Sequence, residues 1–125
     1  FRMERPALYA ESLTVNTSSL TAISNDYGFD QVFARQVEAM GAKGDILIAL
    51  STSGRSANVI NALKQAQQKE MTCICLTGAS GGQVVSLCEL SVRVPSTDTA
   101  RIQEMHILIG HLICSLVENE MFGKS

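Results

Sequence analysis

The chain has 125 residues, a formal net charge of −2, 46% hydrophobic residues and 18% charged ones. That length suits one compact domain, and that balance excludes a disordered or charge-driven polymer. The mild acidity, the 5% aromatic content and the absence of Trp exclude the basic stripe and the stacking platforms of a nucleic-acid binder. No apolar run approaches the roughly 20 residues that span a bilayer, and no basic segment followed by a small-residue cleavage site marks a secretory leader. The chain opens FRMERP, which reads as the middle of a sequence rather than its start.

In chain order, the first strand candidate is residues 11–15, and a short polar helix closes at Asn25-Asp26. Phe29, Val32, Phe33, Val37 and Met40 recur at helical spacing, which predicts an amphipathic helix over residues 28–40 ending near Gly41. Ile46–Leu50 is a short unbroken apolar run, the pattern of a strand covered on both faces. Val59, Ile60, Leu63 and Ala66 mark the next helix, and residues 71–76 the next strand. Gly78, Gly81 and Gly82 punctuate a turn region that leads through a short helix to an alternating strand over 89–94, closed by Pro95. Residues 99–121 follow a helical pattern with a wide apolar face, so the last helix is predicted to be largely buried.

Strands alternating with helices imply βαβ units, a parallel sheet and an α/β fold with helices on both faces. Ligands of such sheets bind beyond the carboxyl ends of the strands, which points to residues 16–19, 51–56, 77–82 and 96–99. The four cysteines form no framework: Cys73 and Cys75 share one face of a strand, Cys88 and Cys114 stand alone, and no zinc spacing occurs. They are expected to be buried, reduced thiols acting as small hydrophobes in a cytoplasmic protein.

The densest chemical signal is Ser51-Thr52-Ser53-Gly54-Arg55-Ser56, between an apolar strand and a helix. Its hydroxyls can donate to anionic oxygens, Gly54 permits a tight turn, and the helix that follows offers N–H groups and a positive dipole end. These features describe a cradle for a phosphate monoester. No Gly-Lys-Ser/Thr follows, so it is not the loop of a nucleoside triphosphatase. The competing reading is a polar turn in which Ser56 simply caps the helix.

The last helix carries both histidines. At about 100° per residue, Gln103 and His111 lie within about 80° of each other, with Gly110 leaving the face between them open. His106 lies about 140° from His111, so the two histidines make a poor metal pair. A histidine titrates near neutrality and suits proton transfer, and a glutamine beside it can hold a substrate oxygen or ligate a metal. The alternative is a hydrogen-bonded histidine in a packing seam. Glu104 can approach His111 or pair with a neighbouring cation. Asp26 reads either as a local turn residue or as a carboxylate delivered to a ligand pocket.

RPALYAESL, Asn25-Asp26, STSGRSANVINAL, LTGASGG and RIQEMH running on to His111 follow one another in an order and spacing that resembles the sugar isomerase (SIS) domain family, and within it the phosphoheptose isomerases. The likeness covers nearly the whole chain, and STSG followed by RIQE is more specific than either alone. It implies a three-layer αβα sandwich with a parallel sheet. Residues 1–125 would be the C-terminal portion of a SIS domain whose N-terminal helices and first strand precede Phe1. It implies a homotetramer with sites at subunit interfaces, and aldose–ketose isomerisation of D-sedoheptulose 7-phosphate to D-glycero-D-manno-heptose 7-phosphate for bacterial surface lipopolysaccharide. By the same resemblance Ser51, Thr52, Ser53 and Ser56 match positions that hold the substrate phosphate. Asp26 matches a carboxylate near the sugar, Gln103 a substrate-binding residue, and His111 the catalytic acid/base. Some members carry zinc, which implies Gln103 and His111 as metal ligands with further ligands upstream of Phe1; no nucleotide cofactor is implied. The family's partner base, a Glu, and a Gly-Asn-Gly-Gly-Ser loop also belong upstream.

Two positions depart from the isomerase pattern. Arg55 stands where isomerases often have Asn. Ala100 stands where several have Asp and where relatives that bind the replication initiator have Ala. Two other readings therefore share these residues: a non-catalytic adaptor for the replication initiator, and a sugar-phosphate sensor without turnover. His111, kept on the Gln103 face, leans towards the enzyme.

Overall fold

The computed structural model describes residues 2–123. Helix α1, Thr17–Tyr27, starts where Asn16 takes an extended conformation and its Oδ1 accepts the Ser19 N–H at 3.0 Å, an N-cap that satisfies one of the helix's orphan donors. It stops at Gly28, whose φ of 93° disfavours any side chain. A 3-10 turn, Phe29–Gln31, leads into α2, Val32–Met40. The apolar stripe over 28–40 does bury Val32 and Val37, but Phe29 and Met40 stay exposed. Gln36 is buried in α2, and its amide donates to the Leu13 and Val32 carbonyls at 3.0 and 2.9 Å. That pairing removes the cost of an unsatisfied buried amide.

Strands β1 (Ile46–Leu50), β2 (Thr72–Thr77) and β3 (Leu90–Arg93) form one parallel sheet in the order β1-β2-β3. Helix α3, Ala57–Gln68, connects β1 to β2, and a 3-10 turn, Val84–Leu87, lies between β2 and β3. Leu47 pairs with Cys73 and Ala49 with Cys75, so all four side chains point to one side of the sheet. There they pack with Ile60, Leu63, Ala66 and Val84 into the main core. The α/β class and the parallel sheet are as the alternating pattern predicts.

Three expectations change. Residues 11–15 form no strand: the Val15 N–H bonds back to the Ser12 carbonyl at 3.2 Å, a turn that delivers Asn16 to its cap. β1 is covered on one face only, because Ile46, Ile48 and Leu50 on its other face are 60%, 42% and 53% exposed. Helix α4, Thr99–Phe122, is not largely buried: only Ile102, His106 and Glu118 are buried along it, while Ile107, Leu112 and Leu116 are exposed. For the later turns the reason is length. A 24-residue helix is about 36 Å long, whereas a six-residue strand spans about 20 Å, so the later turns run beyond the sheet. Those later turns are held by the start of the chain. The Arg2 N–H and the Arg5 Nε donate to the buried Glu118 carboxylate at 2.7 and 2.8 Å, and the Arg5 guanidinium lies 5.6 Å from the Phe122 ring centre. No described helix is long and apolar enough to cross a membrane.

Cys73 and Cys75 are buried as expected, but Cys88 is half-buried and Cys114 exposed. Burial pushes the Cys73 thiol up from its ordinary pKa, with Glu89 adding to the effect. Burial, followed by its contact with Cys75, pushes the Cys88 thiol up further. The thiolate is the reactive form, so native-state alkylation should label Cys114 first and reach Cys73 and Cys88 only on unfolding. Peptide mass spectrometry over a time course reads this directly; early labelling of Cys73 or Cys88 would contradict it.

Candidate active site at the carboxyl ends of the strands

Three of the four loops picked out by the topology converge on one cavity of about 160 Å³. The loop after β1 contributes Thr52 and Ser53, the loop after β2 contributes Ala79 and Ser80, and the connection from β3 to α4 contributes Ser96, Thr97, Thr99 and Ile102. The cavity is thus walled mainly by hydroxyls. The fourth loop lies elsewhere: Asn16 and Ser19 line a separate hollow with Arg35 and Gln36 of α2.

The hydroxyl loop after β1 has a specific internal geometry. Ser51 is buried, its Oγ accepts the Gly54 N–H at 3.1 Å, and it lies 3.0 Å from the Ser56 Oγ. Ser56 occupies the cap position of α3 yet makes no side-chain capping bond. Its hydroxyl is committed to Ser51 instead, which is not what a polar turn with a simple helix cap would do. The Ser53 Oγ accepts the Arg55 N–H at 3.2 Å, and Arg55 itself is exposed. Gly54 has φ of 64°, and a Cβ there would sit 2.0 Å from the Gly81 carbonyl oxygen. The loops after β1 and β2 therefore meet backbone to backbone.

Helix α4 begins at the cavity. Asp98 caps it, its Oδ1 accepting the Ala100 N–H at 2.9 Å. Gln103 is exposed one turn beyond Thr99 on the same face. His111 is exposed about 12 Å further along the helix axis than Gln103. A Cβ at Gly110 would meet nothing within 4 Å, so the face between them is open. His106 is the packing histidine: it is 4% exposed, and its Nε2 donates to the Thr77 carbonyl at 3.3 Å. Glu104 pairs with Arg101 at 2.6 Å. Asp26 is exposed in the last turn of α1, its Oδ1 accepting the Asn25 amide at 2.8 Å.

The structure therefore gathers Ser51, Thr52, Ser53 and Ser56 into one loop and places Gln103 one turn from the cavity. Of the predicted site residues only Thr52 and Ser53 line the cavity; Ser51, Ser56, Gln103, Asp26 and His111 do not. Ser80, Ser96, Thr97 and Thr99 were not singled out from the sequence. The available signal was their position, as hydroxyls in loops that follow strands of a parallel sheet.

This arrangement, a parallel α/β sheet with a hydroxyl cradle after its first strand, agrees with the comparison to known proteins. The model of the SIS domain matches residues 1–78, and the chain belongs to the SIS domain family. It is similar to phosphoheptose isomerase 2 of Campylobacter jejuni, 56% identical over 124 residues, which cover 99% of this chain and 62% of that protein. Against the phosphoheptose isomerase of Burkholderia pseudomallei it is 52% identical over 124 residues, covering 99% and 63%. Among solved structures it superposes on a phosphoheptose isomerase from Francisella tularensis with a TM-score of 0.91 at 44% identity, covering 95% of this chain and 64% of that one. The chain thus spans a little over three fifths of the length of the curated relatives it matches, at 62% and 63%.

Proposed function

We propose that residues 1–125 form the phosphate-anchoring, His111-bearing part of an isomerase that converts D-sedoheptulose 7-phosphate to D-glycero-D-manno-heptose 7-phosphate, an early step towards bacterial surface heptose. The observation that carries this reading is the Ser51–Ser56 hydroxyl pair, 3.0 Å apart, at a helix start where Ser56 forgoes capping. A hydroxyl pair in front of a helix N-terminus, with one O–H spent between its two oxygens and the other left to donate, suits a phosphate monoester. The relatives, named phosphoheptose isomerases, supply the substrate class.

In this reading Ser51, Thr52, Ser53 and Ser56 hold the phosphate, and because His111 lies about 18 Å along α4 from Thr99, farther than a seven-carbon sugar reaches, the α4 face that brings His111 to the carbonyl end belongs to a second copy, in keeping with the interface sites that the resemblance implies. Aldose–ketose isomerisation moves a proton between adjacent carbons through an enediol and needs acid/base groups at carbon and oxygen. His111 transfers the proton, Gln103 holds a substrate oxygen, and Asp26 presents its carboxylate to the sugar. The partner base is the Glu that the resemblance places in the family's preceding segment. Gln103 and His111 supply two donors where zinc takes four. Among the described residues no group of three or more His, Cys, Asp or Glu could hold a metal. These residues do not by themselves build a zinc site. The exposed apolar side chains of β1 and α4 support assembly into a homo-oligomer, taken here as the tetramer, and the buried thiols suit the cytoplasm.

Turnover of D-sedoheptulose 7-phosphate by the intact protein, measured beside ligand-induced thermal stabilisation, tests this. A ligand at a hundredfold excess over its Kd stabilises by about 2.7 kcal/mol. Turnover with stabilisation supports the isomerase. Stabilisation without turnover supports the sensor, and neither response overturns the phosphate reading. In the double variant Ser51→Ala, Ser56→Ala, inorganic phosphate should bind at least about tenfold more weakly, since hydrogen bonds to a charged group contribute roughly 1.5–3 kcal/mol each. A competitive inhibition constant for phosphate checks it.

A further inference from the structure

We infer that the loop after β2 is a positioning element for the phosphate cradle: through Gly78, Ser80, Gly82 and Gln83 it turns the carbonyls of Thr52, Ser53 and Gly54 away from the anion. The inference rests on the phosphate reading above and adds to it the residues that shape the cradle's backbone, of which Ser80 also lines the cavity.

An anion is attracted by backbone N–H groups and repelled by carbonyl oxygens. In a trans peptide the C=O and the following N–H point in opposite directions, and among the described residues no peptide is cis. Fixing a carbonyl therefore aims the next N–H. The Thr52 carbonyl accepts the Gly78 N–H at 3.0 Å, and the Ser53 carbonyl accepts the Ser80 hydroxyl at 3.5 Å. The Gly54 carbonyl accepts the N–H groups of both Gln83 and Val84, at 2.8 and 3.2 Å. Three successive carbonyls are thus held by one neighbouring loop. The N–H groups of Gly54 and Arg55 turn the other way, that of Gly54 onto both the Ser51 Oγ and the Ser51 carbonyl at 3.1 Å and that of Arg55 onto the Ser53 Oγ at 3.2 Å. The brace therefore sets the hydroxyls as well as the backbone.

Only glycine allows this approach. A Cβ on Gly82, where φ is 59°, would lie 2.4 Å from the Gly54 carbonyl carbon and oxygen and 2.5 Å from the Ser53 oxygen. Gly81 differs: with φ of 73°, its Cβ would meet side-chain atoms, Val85 Cγ2 at 2.8 Å and Arg93 Nε at 3.3 Å. The two glycines carry the same backbone strain on substitution, but only Gly82 presses on the cradle. Arg93 ties the brace to β3, its guanidinium donating to the Ala79 carbonyl, and it does not line the cavity.

The test is calorimetric titration of the intact protein with inorganic phosphate, alongside kinetics with D-sedoheptulose 7-phosphate. Gly82→Ala should weaken phosphate at least about tenfold and raise KM with kcat within about threefold of wild type. Gly81→Ala should lower the Tm comparably while keeping phosphate affinity within about threefold. Equal losses of affinity in the two variants, or unchanged affinity in Gly82→Ala, would overturn the inference. Should Gly82→Ala fail to fold, Arg93→Met decides. Its phosphate affinity should drop about threefold or more at roughly 0.5 M salt, where the pull of an exposed charge is screened; no drop overturns the brace. A wild-type protein that binds no phosphate overturns the phosphate reading and the inference with it. A wild type that binds, beside a Gly82→Ala variant that binds equally well, overturns the inference alone.

Discussion

Replacing His111 with Ala in the intact protein is expected to lower turnover of D-sedoheptulose 7-phosphate by about 10²–10⁴-fold, the usual contribution of a positioned acid/base. Phosphate affinity should stay within about threefold. The split follows from geometry. The cradle meets α4 at Thr99 and Ile102, and His111 lies about 18 Å from Thr99 along the helix axis. The anchor and the proton-transfer group are therefore separate pieces of the site. His111 is also exposed beside an open Gly110 position, so truncation leaves no cavity in the core. His111→Gln keeps the size and hydrogen-bonding capacity but carries no exchangeable charge, and it should lose as much activity as the alanine. Steady-state assay of both variants checks this. Turnover within tenfold of wild type in either would remove His111 from the acid/base role.

Gly54→Ala is expected to cost about 3 kcal/mol or more in stability and to abolish measurable phosphate binding. A non-glycine residue at φ of 64° gives up roughly 1–2 kcal/mol, and overpacking a tight site adds roughly 1–3 kcal/mol. Here the clash is severe, because the added carbon would lie 2.0 Å from the carbonyl oxygen of Gly81 and 3.0 Å from the Gly82 Cα. These are backbone atoms that cannot rotate aside. Gly110→Ala is the matched control. That position lies inside α4 with nothing within 4 Å of the new carbon, so helix propensity should make it neutral to stabilising by about 0.5–1 kcal/mol. Chemical denaturation of the two variants measures the contrast. A Gly54→Ala protein within about 1 kcal/mol of wild type would mean that the two loops do not meet as described.

The strands and helices were legible where one periodicity ran unbroken. Ile46–Leu50 is predicted residue for residue, and α3 follows the stripe of Val59, Ile60, Leu63 and Ala66. Residues 11–15 were not legible, because a mixed run of five residues has no pattern strong enough to separate a strand from a turn leading into a cap. Burial was less legible than type. The apolar runs of β1 and α4 are what two covered faces would look like, yet the described chain covers only one side of β1 and, along α4, buries Ile102, His106 and Glu118 alone. The resemblance drew Asp26, Ser51, Thr52, Ser53, Ser56, Gln103 and His111 into one site, but it could not show Ser56 forgoing its cap or His106 taking the packing role.

By itself the sequence determined the α/β class, the parallel sheet and the loops that carry the chemistry, because periodicity, glycine position and hydroxyl clustering are local properties written along the chain. Only the tertiary structure decided how the cradle is shaped. The carbonyls of Thr52, Ser53 and Gly54 are fixed by residues some 26 to 30 positions later, through glycines packed against one another. Contacts of that kind depend on two strands lying side by side in register, and no pattern within either loop reveals them.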